Sequence, residues 1–66
     1  MVVSSGPLNV RSTPTISGVI VGQLQTGDAV SVIDGPMADN HQWEQLAQGQ
    51  YAGNYVAGDL LKAPNL

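Results

Sequence analysis

Brief stretches of alternating apolar and polar residues dominate the chain. At residues 8–11 the motif Leu-Asn-Val-Arg alternates, so Leu8 and Val10 share one face of a predicted strand. A second strand is predicted at residues 19–24, in which Gly22 marks a bend or a bulge. The residues between these two strands are predicted to form a loop.

Turn residues enclose the third predicted strand. Thr-Gly-Asp at residues 26–28 predicts a tight turn, and the strand follows at residues 29–33. Asp-Gly-Pro at residues 34–36 is expected to end this strand, because proline cannot donate to a ladder. A polar loop is expected to continue to Gln42.

The last third of the chain predicts more short elements. Strands at residues 43–47 and 50–52 flank Gln48-Gly49, a predicted two-residue hairpin turn. A final strand is predicted at residues 55–57, and residues 58–61 predict a single 3₁₀ turn. The eight glycines and four prolines are spaced too closely for helices of several turns. The pattern therefore predicts an all-β domain, either a small barrel or a sandwich.

Composition limits how such a domain is stabilised. The 66 residues suffice for one domain, and 42% of them are hydrophobic, which is too many for intrinsic disorder. With no cysteine and one histidine, the chain has no disulfide framework and no zinc site. We therefore predict no metal and no cofactor, and stability that comes from apolar packing, backbone ladders or a partner subunit.

The charge balance excludes two classes of partner. The net charge is −3, and Arg11 and Lys62 are the two cationic residues. Two cations far apart in sequence do not form the basic patch that phosphate backbones or anionic membranes require. We expect neither a signal peptide nor a membrane-spanning segment, because the first residues contain no basic region and no apolar run is long enough. We expect the chain to act outside a cell only if a parent protein or a virion delivers it.

Five pieces of the chain follow one another in an order typical of one family. They are Leu-Asn-Val-Arg-Ser-Thr-Pro at residues 8–14, Val-Ile-Val-Gly-Gln-Leu at 19–24, Gly-Asp-Ala-Val-Ser-Val at 27–32, Trp-Glu-Gln-Leu at 43–46 and Gly-Asn-Tyr-Val-Ala-Gly-Asp-Leu at 53–60. In this order the chain resembles the bacterial SH3 (SH3b) family. The resemblance implies an SH3-like barrel of five to six short antiparallel strands, one domain over residues 1–66 with its core at residues 6–61 and a tail at 62–66.

The alternation within these strands predicts which side chains form the core. The predicted core residues are Leu8, Val10, Val19, Val21, Leu24, Val30, Val32, Leu46, Val56 and Leu60. The chain also departs from the family pattern, because Tyr55 replaces a closing Trp and the loop at residues 34–42 is long. By alternation, Glu44 shares a face with Leu46, and Trp43 falls on the opposite face.

Three aromatic residues are candidates for ligand binding. Trp43 has two interpretations: an exposed, rigid anchor beside the polar loop, or a packing residue that closes one end of the barrel. Tyr51, just past the predicted hairpin turn, is the better candidate for exposure and is expected to act with Trp43 in one groove. Tyr55 is more consistent with a position at the edge of the core, although its hydroxyl could line the same groove.

Asn9 and Arg11 lie on the strand face opposite Leu8 and Val10. They could bind a peptide backbone or a carboxylate, because arginine offers a planar set of donors. The favoured interpretation is structural: Arg11 pairs with Asp28 or Asp59, or binds a loop carbonyl.

Catalytic chemistry is not predicted. His41 has no serine or cysteine partner in a nucleophile motif and is expected to be a solvated loop residue. The spacing of Asp34, Asp39 and Asn40 does not match a calcium-binding loop. A small barrel is filled by its own side chains and leaves no cleft for paired carboxylates. We therefore expect a protein that is not an enzyme.

Two functions remain open at this stage. By resemblance, the chain is a targeting module that binds peptidoglycan peptides or another extended ligand through a shallow groove, alone or attached to a parent enzyme. The alternative is a structural or assembly protein, such as a viral or multimeric component that uses the barrel for protein–protein docking. Recognition of proline-rich peptides is the weakest option, because three aromatic residues do not form a dense aromatic platform.

Overall fold

The computed structural model describes residues 1–62, which form seven short β-strands and one 3₁₀ turn. The strands are β1 (Val2–Val3), β2 (Leu8–Arg11), β3 (Ile20–Leu24), β4 (Val32–Ala38), β5 (His41–Leu46), β6 (Tyr55–Ala57) and β7 (Leu61–Lys62), and the turn is Gly58–Leu60. The all-β prediction is confirmed, as is the 3₁₀ turn. Across the part described, no helix is long and apolar enough to cross a membrane. Most of the predicted tail, residues 63–66, lies outside the described residues.

The strands form two antiparallel sheets. The larger sheet has the order β3-β2-β6-β5-β4, and β1 pairs with β7 in a two-stranded sheet. A single bridge between Val2 and Ala29 connects β1 to the chain that leads into β4. The order leaves β3 and β4 as the outer strands, and within residues 1–62 no backbone ladder closes the sheet into a ring.

Strand β4 begins later than expected and runs through the predicted break. It extends from Val32 to Ala38, and its pairing with β5 is irregular between Asp34 and Met37. An outer strand tolerates Pro36 there, because one side of the strand has no partner that needs an N–H donor. The predicted strand at residues 29–33 was therefore wrong in both bounds.

The expected polar loop up to Gln42 is instead the tip of a hairpin. Met37 pairs with Gln42 and Ala38 pairs with His41, which leaves Asp39 and Asn40 as the two turn residues. Their φ angles are 54° and 62°. Asn and Asp are the residues that enter this left-handed region most readily after glycine, and two such residues form a tight hairpin turn.

The predicted hairpin at Gln48-Gly49 is not formed. Residues 47–54 connect β5 to β6 as a series of turns, with Gly49 and Gly53 both at a φ of 88°. The connection is closed by two backbone bonds: the Gly53 N–H donates to the Leu46 carbonyl, and the Leu46 N–H donates to the Asn54 carbonyl, both at 2.8 Å. The predicted strand at residues 50–52 is therefore part of this connection.

One apolar cluster lies on the inner side of the five-stranded sheet. Its buried members are Val3, Leu8, Val10, Leu46, Val56 and Leu61, with Leu24, Val30, Val32 and Leu60 packed against them. Two core predictions were wrong: Val19 is 68% exposed and Val21 is 43% exposed. Val19 precedes β3, and Val21 is an extra residue in the β2–β3 pairing, which steps from Val10–Gly22 to Arg11–Ile20.

Candidate functional site

One row of side chains crosses all five strands of the larger sheet. Its direct cross-strand neighbours are, in order, Ile20, Arg11, Tyr55, Gln45 and Ile33. Residues directly opposite each other in antiparallel strands point to the same face. Val10 and Val56, which flank this row in sequence, are buried in the core and point the other way. We call the row of five the outer row and the face that carries it the outer face.

A second row lies beside the outer row on the same face. Asn9 is two residues from Arg11, Ala57 is two residues from Tyr55, and Trp43 is two residues from Gln45. Trp43 and Ala57 are direct partners in the β5–β6 pairing. Four of the five predicted site residues therefore share the outer face: Asn9, Arg11, Trp43 and Tyr55.

A depression of about 180 Å³ borders the outer face, and we call it the outer groove; Leu8 and Leu60 of the inner apolar cluster also line it. Its lining includes Asn9 and Arg11 from β2, Ile16 from the loop that follows β2, His41 and Trp43 from β5, and Leu60 from the 3₁₀ turn. The groove thus combines an apolar base with one cationic side chain and one amide. Ile16 was not predicted, because it lies in a loop where no alternation indicates its orientation.

Trp43 is buried, although it lies on the face opposite Leu46 as alternation predicts. Its side chain is 2% exposed, and its indole Nε1 donates to the Ala38 carbonyl at 3.0 Å. The His41 ring contacts it edge-on, with the ring centroids 6.0 Å apart. Of the two interpretations, the structure shows the packing residue. The interpretation of Trp43 as an exposed anchor is therefore wrong, because neighbouring groups cover the indole.

Arg11 binds a loop carbonyl. Its Nη1 donates to the Gly18 carbonyl at 3.0 Å, which holds the loop between β2 and β3 against the sheet. This is one of the structural alternatives predicted for Arg11, and it leaves further guanidinium N–H groups on the outer face. Asn9 accepts a bond from Gln23 Nε2 at 3.0 Å, which links the side chains of β2 and β3.

Tyr55 and Tyr51 occupy different surfaces. Tyr55 is half-buried in the outer row, with its hydroxyl 3.4 Å from Gln45 Nε2. Tyr51 lines an open cleft of about 490 Å³ together with Met1, Leu24 and Val30; we call this the terminal cleft. The structure therefore does not bring Tyr51 and Trp43 into one groove, and Tyr51 stands apart from the other four candidates.

His41 is half-buried in β5 and is not the solvated loop residue that was expected. Its Nδ1 lies 3.2 Å from both carboxylate oxygens of Asp59, which belongs to the 3₁₀ turn. This contact connects the end of the β4–β5 hairpin to the segment after β6. No local pattern predicts this contact, because the two residues are 18 positions apart in the chain.

Two carboxyl groups of the β4–β5 hairpin have altered pKa values. Burial, followed by the neighbouring Asp34, raises the pKa of Glu44, which lies directly opposite Asp34 in the β4–β5 pairing. Hydrogen bonds from the Thr15 hydroxyl and the Ile16 N–H lower the pKa of Asp39. Within residues 1–62, no group of three or more His, Cys, Asp or Glu side chains could hold a metal ion.

Comparison with models of protein families, with curated proteins and with solved structures finds no match for this chain. Membership of the bacterial SH3 family therefore stays a prediction that rests on the sequence pieces quoted above. The site must be interpreted from its own geometry.

Proposed function

We propose that this chain is a non-catalytic binding module that holds an extended peptide against its outer face. The observation that carries the proposal is the adjacency of Arg11 and Tyr55 in the outer row, beside a groove with an apolar base. The resemblance suggests peptides of the bacterial cell wall as the ligand class. As part of the proposal, the two sheets are taken as the halves of an SH3-like barrel, linked at Val2 and Ala29.

The chemistry of the outer face suits a peptide. An extended peptide offers backbone carbonyls and carboxylates, and the remaining N–H groups of Arg11 can donate to both. The Gln45 amide and the Tyr55 hydroxyl add a donor and an acceptor next to it. A chain with a net charge of −3 has few places that favour an anion, and Arg11 provides one on this face.

The size of the outer groove favours one side chain of a longer ligand. At about 180 Å³ it is smaller than the roughly 300–1,000 Å³ that encloses a small molecule. The rest of the ligand would lie over the outer row, with its backbone exposed. We expect modest affinity from such a shallow contact, because few groups become fully desolvated.

The proposal is limited to binding. His41 lines the outer groove, but no serine, threonine or cysteine is among the described residues that line it with His41. Glu44 lies directly opposite Val56, a core residue, and so points to the inner side of the sheet. Neither Asp34 nor Glu44 is part of the lining of the outer groove.

The two tyrosines allow a matched test of the proposal. Purified cell walls are incubated with the protein, and bound protein is measured as a function of its concentration. We expect saturable binding that weakens about 2- to 10-fold in Tyr55→Phe, the range for one lost hydrogen bond. Tyr51→Phe, in the terminal cleft, should bind as the unaltered chain does. Equal loss in both variants, or no saturable binding, would reject the proposal.

An assembly role is the second candidate. The observation in its favour is the set of exposed aliphatic side chains on and next to β3: Val19, Ile20 and Val21. Soluble domains that act alone seldom expose such a strand at the edge of a sheet. Saturable binding to cell walls supports targeting, whether the chain is a monomer or a dimer. A stable oligomer that does not bind cell walls supports assembly.

A further inference from the structure

We propose that β3 is a docking edge through which two copies of this chain pair in antiparallel orientation. Strand β3 is an outer strand of the five-stranded sheet, and in residues 1–62 only β2 pairs with it. The backbone groups on its free side can therefore form a ladder with another strand. Ile20 is 50% exposed, and its neighbours Val19 and Val21 are also exposed. This inference starts from the exposed β3 strand that also favours the assembly role, and it does not require peptide binding by the outer face.

The other outer strand is protected against such pairing, and β3 is much less so. Strand β4 contains Pro36, the charged Asp34 and an irregular stretch of pairing up to Met37. Proline, charge and irregular pairing are the devices by which outer strands avoid joining other chains. Strand β3 contains one such device, the bulge at Val21, but no proline and no charged residue.

The distribution of charge favours a second copy as the partner. Although the net charge is −3, residues 12–27 contain no charged side chain. Pairing β3 with its own copy therefore brings no like charges together along the strand. A partner with a different sequence would gain nothing from charge at this edge.

Such a contact closes after two copies. A two-fold interface uses the same edge on both chains, so no β3 edge remains free in the dimer. The protected β4 edge prevents further growth into a filament. Because directly paired residues point to the same side, the two outer rows would lie on one face of the joined sheet.

The test is the molar mass of the chain in solution from micromolar to millimolar concentration, measured by sedimentation equilibrium. We expect a reversible monomer–dimer equilibrium for the unaltered chain. Val21→Lys places a charge on the docking edge and should weaken the dimer at least about tenfold. Met37→Lys is the matched control, because Met37 is exposed on the β4 edge; its dimer should be unchanged.

Three results would overturn the inference. They are a monomer up to millimolar concentration, a Val21→Lys chain that still dimerises as before, and a Met37→Lys chain that loses the dimer. Circular dichroism of each variant shows that the strands persist, and Val19→Lys serves as a second edge variant if Val21→Lys unfolds. Binding of a soluble peptide reports on the outer face alone, so failure of the dimer and failure of the proposed function are distinguishable.

Discussion

The Asp39 carboxylate accepts a hydrogen bond from the Thr15 hydroxyl at 2.6 Å. The same oxygen accepts the Ile16 N–H at 3.0 Å. Asp39 is in the β4–β5 turn, whereas Thr15 and Ile16 belong to the loop between β2 and β3. Because Ile16 lines the outer groove, this carboxylate holds one wall of the candidate site in place.

The first prediction concerns the pH dependence that follows from this contact. The two hydrogen bonds lower the pKa of Asp39 below its ordinary value of 3.8. A lowered pKa in the folded state contributes stability above the ordinary value, and this stability is lost as pH falls through the lowered pKa. We expect Asp39→Asn, which keeps the left-handed turn, to be less stable at neutral pH and to lose less stability on acidification. Parallel curves of unfolding temperature against pH for the two chains would contradict this role.

At Glu44 we expect stability to depend on pH in the direction opposite to that at Asp39. Burial and the adjacent Asp34 raise the pKa of Glu44 above its ordinary value of 4.5. Because its pKa is raised, the contribution of Glu44 to folding stability is fully present below pH 4.5, and it is lost as pH rises through the raised pKa. Glu44→Gln should therefore raise the unfolding temperature at neutral pH by a few degrees and change it little in acid.

Asp34→Asn provides a companion measurement for Glu44. If repulsion between the two carboxylates contributes, each single variant is stabilised at neutral pH, and the double variant gains less than the sum of the two. A Glu44→Gln chain that is less stable than the unaltered chain at neutral pH would show that the carboxylate makes a favourable contact instead.

The third prediction concerns Trp43. Because the indole is buried and donates to the Ala38 carbonyl, Trp43→Ala should destabilise the fold by about 3–5 kcal/mol, measured by denaturant unfolding. Such a loss is a large part of the stability of a small domain. Met37→Ala, at a side chain that is 70% exposed, should change stability by less than about 0.5 kcal/mol. A folded, stable Trp43→Ala chain would show that the indole is dispensable for packing.

The fourth prediction links Gly22 to Tyr51. A Cβ on Gly22 would overlap the Tyr51 ring, so Gly22→Ala should cost about 1–3 kcal/mol of stability. Tyr51→Ala removes the obstacle, and in that background the same glycine change should cost much less. Thermal unfolding of the four chains in this cycle measures the coupling. Equal costs in both backgrounds would mean that the tyrosine does not limit this position.

The strand at residues 8–11 could be predicted because its alternation matches its burial, with Leu8 and Val10 inside. Strand β4 could not be predicted in this way. In a sequence, a proline such as Pro36 indicates the end of a strand, but an outer strand tolerates it. Strands β1 and β7 have two residues each, which is too short for any alternation to appear. Their core residues, Val3 and Leu61, were missed for the same reason.

Sequence patterns predict the individual residues of the candidate site, but they do not predict the surface that these residues form together. Alternation places Asn9 and Arg11 on one face of β2, yet it does not say which residue of another strand lies beside them. The pairing of Arg11 with Tyr55 depends on the register between β2 and β6, which distant parts of the chain set together. Alternation places Trp43 on the correct face, but its burial comes from contacts that alternation does not predict, such as the edge-on contact with the His41 ring.

The most direct test of the central claim maps the binding surface residue by residue. A soluble peptide from bacterial cell walls is titrated into the isotope-labelled chain, and backbone amide shifts are followed by nuclear magnetic resonance. We expect saturable shifts that centre on Arg11, Gln45 and Tyr55, with little change at Leu24 and Tyr51 in the terminal cleft. Shifts that centre on the terminal cleft, or no saturable shifts anywhere, would contradict it.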